Sequence, residues 1–209
     1  MKTINFAMSV LLFSLLSSNI NAASIDIETM NFNRNTNGND LESAWTSQSS
    51  TVNTHSISVF NSYRPGRYTI NRLTAQFSLG SAVAWGFEAG LDAHYGAEIY
   101  LDDGLIGDRV DDLWWSGNWA NSDVLSALNN GLTAGEHTLE LYWAEACCNG
   151  ASSMRFTTDG STWQSLSVEN LATASAATHA VPEPLSVWLM SAGLVILMLN
   201  RRKQQALIA

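Results

Sequence analysis

The stretch Glu136–Ala144, EHTLELYWA, decides the fold. Thr138, Glu140 and Tyr142 fall on one side of an extended chain, and Leu139, Leu141 and Trp143 on the other, which is the period of two expected of a half-buried strand. A helix would scatter these residues around its axis. Strand-like runs recur on either side of it. Downstream lie Ser152–Thr157 and Thr162–Val168, parted by an Asp159-Gly160 turn. Upstream lie Ser24–Met30, Val52–Phe60, Arg67–Leu79, Ala82–Gly90, Ala93–Leu101 and Leu105–Val110, separated by turns rich in Gly, Asn and Asp such as Pro65-Gly66 and Asp102-Asp103-Gly104. No amphipathic helix of 10–15 residues alternates with them, and only Asp123–Asn130 suggests a helical turn or two. Eight or nine short strands without crossover helices predict an all-β chain folded as a single β-sandwich.

The two ends of the 209-residue chain read differently. Lys2 precedes the apolar run Phe6–Leu16, and small residues follow up to Ala22, so 1–22 is expected to be a cleaved signal peptide. At the other end Val181-Pro182-Glu183-Pro184 leads into Leu185–Leu199, an uncharged apolar run that ends at Arg201-Arg202-Lys203. Fifteen helical residues reach roughly 22 Å, so a membrane helix over 185–200 needs help from its flanks to span a hydrocarbon core of about 30 Å. The basic cluster stops transfer and stays cytoplasmic. Between the ends, 23–171 forms the sandwich domain, and 172–180 (ATASAATHA), poor in large side chains, reads as a flexible spacer.

From Ala23 to Ala180 there are 18 Asp and Glu against six Arg and no Lys, a formal charge of −12. A surface of that sign repels phosphate backbones and argues against nucleic acid as a partner. The histidines, His55, His94, His137 and His179, are scattered, and no Ser or Cys sits in a nucleophile elbow, so the chain is not expected to be an enzyme. A pair of glycosidase carboxylates has no sequence signature, which keeps a carbohydrate-active enzyme as the third reading.

Three local features carry the chemistry. Cys147 and Cys148 are adjacent in a chain bound for an oxidising compartment. They form a vicinal disulfide that stiffens the turn ending at Gly150, remain reduced, or bridge to partner chains; the vicinal bond is the expected form. The acidic run contains Asp102, Asp103 and Asp108, the candidate calcium ligands, although its spacing does not match an EF-hand and a solvated acidic loop accounts for the same residues. Finally, Asp112-Leu113-Trp114-Trp115-Ser116-Gly117-Asn118-Trp119 offers indole faces for sugar C–H groups and a carboxylate for hydroxyls. Trp114, Trp115, Trp119 and Asp112 are therefore the candidate ligand residues, with the reservation that alternation sends Trp114 and Trp115 to opposite faces and one of them into the core.

Pro182-Glu183-Pro184, the apolar helix and Arg201-Arg202-Lys203 resemble the PEP-CTERM sorting signal of exopolysaccharide-producing Gram-negative bacteria, here over 181–204. Cys147-Cys148-Asn149-Gly150 resembles the Cys-Cys-X-Gly signature of a subset of those proteins. Leu132–Phe156 and Ile99–Trp115 resemble, more loosely, segments of PA14-like β-sandwiches, with a jelly-roll-like sandwich as the broader class. The resemblance implies an exported, non-catalytic protein that an exosortase-type transpeptidase receives as a membrane intermediate and passes to the cell surface or extracellular matrix, in association with exopolysaccharide. A carbohydrate-binding module, with or without calcium, is the alternative it implies.

Overall fold

The computed structural model describes residues 22–32 and 40–179, together with Met190 and Gly193. The expected signal peptide, apart from Ala22, and the sorting motif, basic cluster and nearly all of the apolar run lie outside the described residues. Among the described residues no helix is long and apolar enough to cross a membrane.

Residues 22–32 and 40–179 form a β-sandwich with two short helices. Its strands are β1 (Ser24–Asn31), β2 (Asn53–Ser56), β3 (Thr69–Leu79), β4 (Val83–Gly90), β5 (Asp92–Ala93), β6 (Ala97–Leu101), β7 (Gly104–Arg109), β8 (Leu113–Trp114), β9 (Val124–Leu132), β10 (Gly135–Glu145), β11 (Ser153–Thr157) and β12 (Gln164–Ser165). One helix, α1 (Leu41–Ser47), follows β1, and the other, α2 (Val168–His179), closes the domain. Six strands form one sheet in the order β2-β1-β3-β10-β6-β7, four form the second in the order β12-β11-β4-β9, and β5 pairs with β8 at one end. Every pairing between named strands is antiparallel.

The alternation of β10 sets the larger sheet. Leu139, Leu141 and Trp143 point into the core with Leu73, Ala75 and Phe77 of β3, and they meet Trp85, Phe87 and Ala89 of β4 and Met154 and Phe156 of β11. Trp85 stacks on both Phe77, at 4.9 Å between ring centroids, and Phe156, at 5.2 Å, and so joins the two sheets. Stacked rings at such distances add about 0.5–1.5 kcal/mol per pair beyond their buried area. On the far face of β10, Tyr142 packs with Trp45, Leu41 and Ala44 of α1 in a second, smaller apolar cluster.

Two elements depart from the sequence expectation. Asp123–Asn130 is not helical: β9 pairs with β4 from Val83↔Leu132 to Gly90↔Val124, because the segment's apolar side chains, Leu125 and Ala127, alternate and face the core. The expected spacer 172–180 is helical up to His179 as part of α2. Leu171, Ala174 and Ser175 are buried, the Ser175 hydroxyl lies 3.1 Å from that of Ser78 on β3, and Thr178 Oγ1 accepts the Gly80 N–H at 2.9 Å. Its small residues let the helix lie close to the sheet, and Ala is the strongest helix former.

Candidate functional site

The residues with unspent chemistry gather at the end of the sandwich where β4 runs into β5 and β10 leaves the sheet. Strand β4 ends at Gly90, where the ring of Trp115 lies so close that no Cβ fits. Two residues on, Asp92 enters β5 and sits directly opposite Trp114 of β8. Cross-strand partners in an antiparallel pair present their side chains on one face, with Cβ atoms about 5 Å apart. Asp92 is buried, while Trp114 is 53 % exposed.

Strand β10 delivers Glu145 to the same place. Its Oε1 accepts the Cys147 N–H at 2.7 Å, whereas Oε2 is buried without a hydrogen-bond partner. Burial and the neighbouring Asp92 carboxylate push the Glu145 carboxyl up to about 7, against the opposing pull of the backbone N–H groups of Cys147, His94 and Ala146. Asp92 is likewise raised, by burial first and by Asp112, while the Gly150 N–H and Arg64 oppose the shift.

A single loop ties these two carboxyl groups together. Cys147 and Cys148 are disulfide-bonded across 3.8 Å between Cα atoms, and both are exposed. Cys148 and Asn149 take left-handed backbone angles, φ +72° and +55°, which turn the chain sharply. The turn begins with the Cys147 N–H on Glu145 and ends with the Gly150 N–H donated to Asp92 Oδ2. Gly150 is required there, since a Cβ would collide with the Asp92 carboxylate. From outside, Arg64 Nη1 donates to the Asn149 carbonyl at 2.6 Å and the Gly66 N–H donates to Asn149 Oδ1 at 2.7 Å. His94 and Asp112 lie on the exposed side, 3.5 Å apart.

The residues singled out from sequence do not form one constellation. Trp114 and Asp112 belong to this end, and so do Cys147 and Cys148. Trp115 is 94 % buried, packed over Gly90 and against Trp119 at 4.8 Å between centroids. Trp119 belongs to a different stack, on the outer face of the smaller sheet, where the Arg155 guanidinium lies over both Trp119 (4.4 Å) and Trp163 (4.8 Å) and pairs with Glu88. Asp102 and Asp103 form the β6–β7 turn, and Asp108 lies on β7 in register with Glu98. Asp102 is committed: its Oδ2 lies 2.8 Å from His137 Nδ1 and its Oδ1 accepts the Thr138 N–H at 2.9 Å. Among the described residues no three His, Cys, Asp or Glu side chains gather closely enough to hold a metal ion. Sequence reasoning missed Asp92, Glu145 and Arg64, which converge here with Asn149 of the Cys147–Gly150 loop, up to 85 residues away in the chain. The adjacency of the two cysteines and the Asp112–Trp114 segment were the signals pointing to the place.

No protein-family model matches the chain, and no curated protein matches it. Solved structures with a similar course of the chain include the PA14 domain of the MpAFP antifreeze protein, with a TM-score of 0.48, 14 % identity and coverage of 73 % of this chain and 92 % of that one. The PA14 sugar-binding domain from an RTX adhesin gives a TM-score of 0.48 and 8 % identity over 71 % of this chain and 97 % of its own. A subtype-switched epithelial adhesin A domain from Candida glabrata, solved in complex with beta-lactose, gives 0.46 and 8 %, over 69 % and 84 %.

Proposed function

We propose that the chain is an exported, non-catalytic surface module that binds a glycan at the end of the sandwich formed by Asp92, Trp114 and the Cys147–Gly150 loop. The observation that carries this reading is the cross-strand pair: an exposed indole held in register with a buried carboxylate, beneath a loop locked by its own disulfide. An indole face packs against sugar C–H groups, and a carboxylate accepts from hydroxyls, so the two together suit a polyhydroxylated ligand better than an anion or a purely apolar one. The preformed loop limits the ordering that binding would otherwise demand. In this reading the C-terminal segment addresses the module to an exosortase-type transpeptidase, which hands it to the cell surface or matrix where exopolysaccharide is the partner.

A glycan array with the exported domain identifies the ligand, and titration of the best hit into Trp114→Ala measures the site. The expected loss is roughly 1–3 kcal/mol, the size of a binding hot spot. Trp115→Ala instead lowers the melting temperature, because that ring fills the space over Gly90. Unchanged affinity in a folded Trp114→Ala variant rejects the site, and turnover of a polysaccharide by the domain rejects the non-catalytic reading.

A further inference from the structure

The Cys147–Cys148 bond does more than stiffen a turn. Between Glu145 and Gly150 the chain hangs from two buried carboxyl groups, one at each end of the loop, through the Cys147 N–H to Glu145 Oε1 and the Gly150 N–H to Asp92 Oδ2. Both anchors depend on the backbone path between them. That path passes through two consecutive left-handed residues, Cys148 and Asn149, neither of them glycine. Left-handed geometry is costly for residues bearing a Cβ, less so for Asn, and a Cys has no side-chain device that favours it. The covalent ring between adjacent cysteines supplies the constraint instead, and both sulfur-bearing residues are exposed to solvent.

We propose that Cys147–Cys148 is a thiol-exchange site through which a dithiol reductant controls the glycan site. A reductant thiolate attacks the Sγ of one cysteine, the Sγ–Sγ bond breaks, and the other sulfur leaves as a thiolate that takes up a proton. The second thiol of the reductant then attacks the mixed disulfide. Two cysteine thiols and one oxidised dithiol result, with two electrons passing from reagent to protein. Once the ring is open, Cys148 returns to ordinary backbone angles and the loop leaves its left-handed course. The Gly150 N–H then withdraws from Asp92 and the Cys147 N–H from Glu145, and neither carboxyl group keeps the position that the loop gave it. The oxidised form is the binding form and the reduced form is the released one. The Arg64 and Gly66 bonds to Asn149 tie the change to the 64–66 segment, so the response extends beyond the loop itself.

The consequence for binding rests on the glycan reading, whereas the loop response does not, and the test separates the two. Oxidised protein, protein treated with dithiothreitol and the Cys147→Ser/Cys148→Ser double variant are compared by amide hydrogen exchange and by titration with the glycan-array hit. Reduction is confirmed by alkylation mass, and folding by the melting curve. The expected result is at least a tenfold faster exchange at Cys147 and Gly150 in the reduced and double-Ser forms, with exchange in β3 and β10 unchanged. Affinity for the glycan falls at least tenfold in the same two forms. Complete reduction that leaves both the exchange rates and the affinity unchanged overturns the proposal. Faster exchange with unchanged affinity overturns the control of binding. If no glycan binds the oxidised form, the functional reading falls, and the exchange rates alone decide whether the loop answers to thiols. If alkylation mass shows free thiols before any reductant is added, there is no bond to exchange and the proposal fails.

Discussion

Two acidic places in this molecule differ in what their oxygens meet. At the β6–β7 turn, Asp102 divides its carboxylate between the His137 ring and the Thr138 N–H, so both oxygens are occupied and the turn is a structural clasp. At the end of the sandwich, Asp92 and Glu145 come from strands more than fifty residues apart; burial raises both carboxyl groups, Asp92 raises Glu145 further, and Glu145 Oε2 is left without a partner. A run of acids is a local fact; convergence of acids with an unspent oxygen is a tertiary one. Buried polar groups in native proteins are nearly always paired; among the described residues the unpaired buried side-chain atoms are the indole nitrogens of Trp85, Trp115 and Trp143 and this one carboxyl oxygen.

The strongest way to break this contrast is to fill the space beneath the loop. Gly150→Ala places a methyl group where the Asp92 carboxylate lies, and one of them must move. Overpacking of this kind costs about 1–3 kcal/mol. Because the loop can shift while the core stays packed, most of the cost is expected at the site, as a loss of glycan affinity of about 100-fold. Isothermal titration on the folded variant checks it, and wild-type affinity there would place the ligand elsewhere.

Asp102→Ala sharpens the contrast from the other side. It strips the acceptor from the Thr138 N–H and the partner from His137, whose side chain is only 4 % exposed. Removing one partner of a buried polar group costs about 1–3 kcal/mol. For a domain of this size that lowers the melting midpoint by about 3–10 °C. Glycan affinity stays unchanged. A loss of binding without a loss of stability would reverse the roles assigned to the two turns.

What was legible in the sequence follows the same division. The period-two pattern of Glu136–Ala144 named the core face of β10 correctly, because a strand's alternation is written locally and Leu139, Leu141 and Trp143 had nowhere else to go. The split of Trp114 from Trp115 was legible for the same reason. Helix α2 was not, since Ala, Ser and Thr in 172–178 look like a linker until β3 offers a surface on which small side chains allow close approach. Nor were Asp92 and Glu145, each an ordinary acid in its own strand. The disulfide loop was visible as a dipeptide, but its two anchors depend on the register of β5 with β8 and on where β10 leaves the sheet.

The Glu145 carboxyl carries a pH signature. Glu145 stands at about 7 in the folded protein against an ordinary value of 4.5, so between these values the folded chain binds more protons than the unfolded one. The stability due to this group is complete below about pH 4.5, falls as pH rises towards 7, and is lost above it. Asp92, also raised by burial, faces the same space and adds to the slope in the same direction. Glu145→Gln keeps an acceptor for the Cys147 N–H and removes the charge. It is expected to flatten the profile and to stabilise the protein by about 2 kcal/mol at pH 8, with little change at pH 4. Urea midpoints for both proteins at the two pH values provide the check, and parallel profiles would mean that Glu145 is ionised and solvated in the fold.

The smallest effect belongs to Asp103, and its smallness is the point. Asp103 follows Asp102 in the two-residue β6–β7 turn, with φ +63° after φ +50°. Paired left-handed residues closed by Leu101↔Gly104 match the tight hairpin turns that favour Asn, Asp and Gly. Asp103→Asn should therefore leave the stability within about 0.5 kcal/mol of wild type, the range of an ordinary surface change. Asp103→Gly removes the left-handed cost but adds freedom to the unfolded chain, and the two nearly cancel. Run with and without calcium, the same melts address the cation expected at Asp102, Asp103 and Asp108. With Asp102 already committed to His137 and Thr138, chelation is expected to shift wild type and Asp103→Asn alike. A chelator-sensitive rise of several degrees in wild type that Asp103→Asn abolishes would make this turn the cation site and erase its difference from the Asp92–Glu145 end.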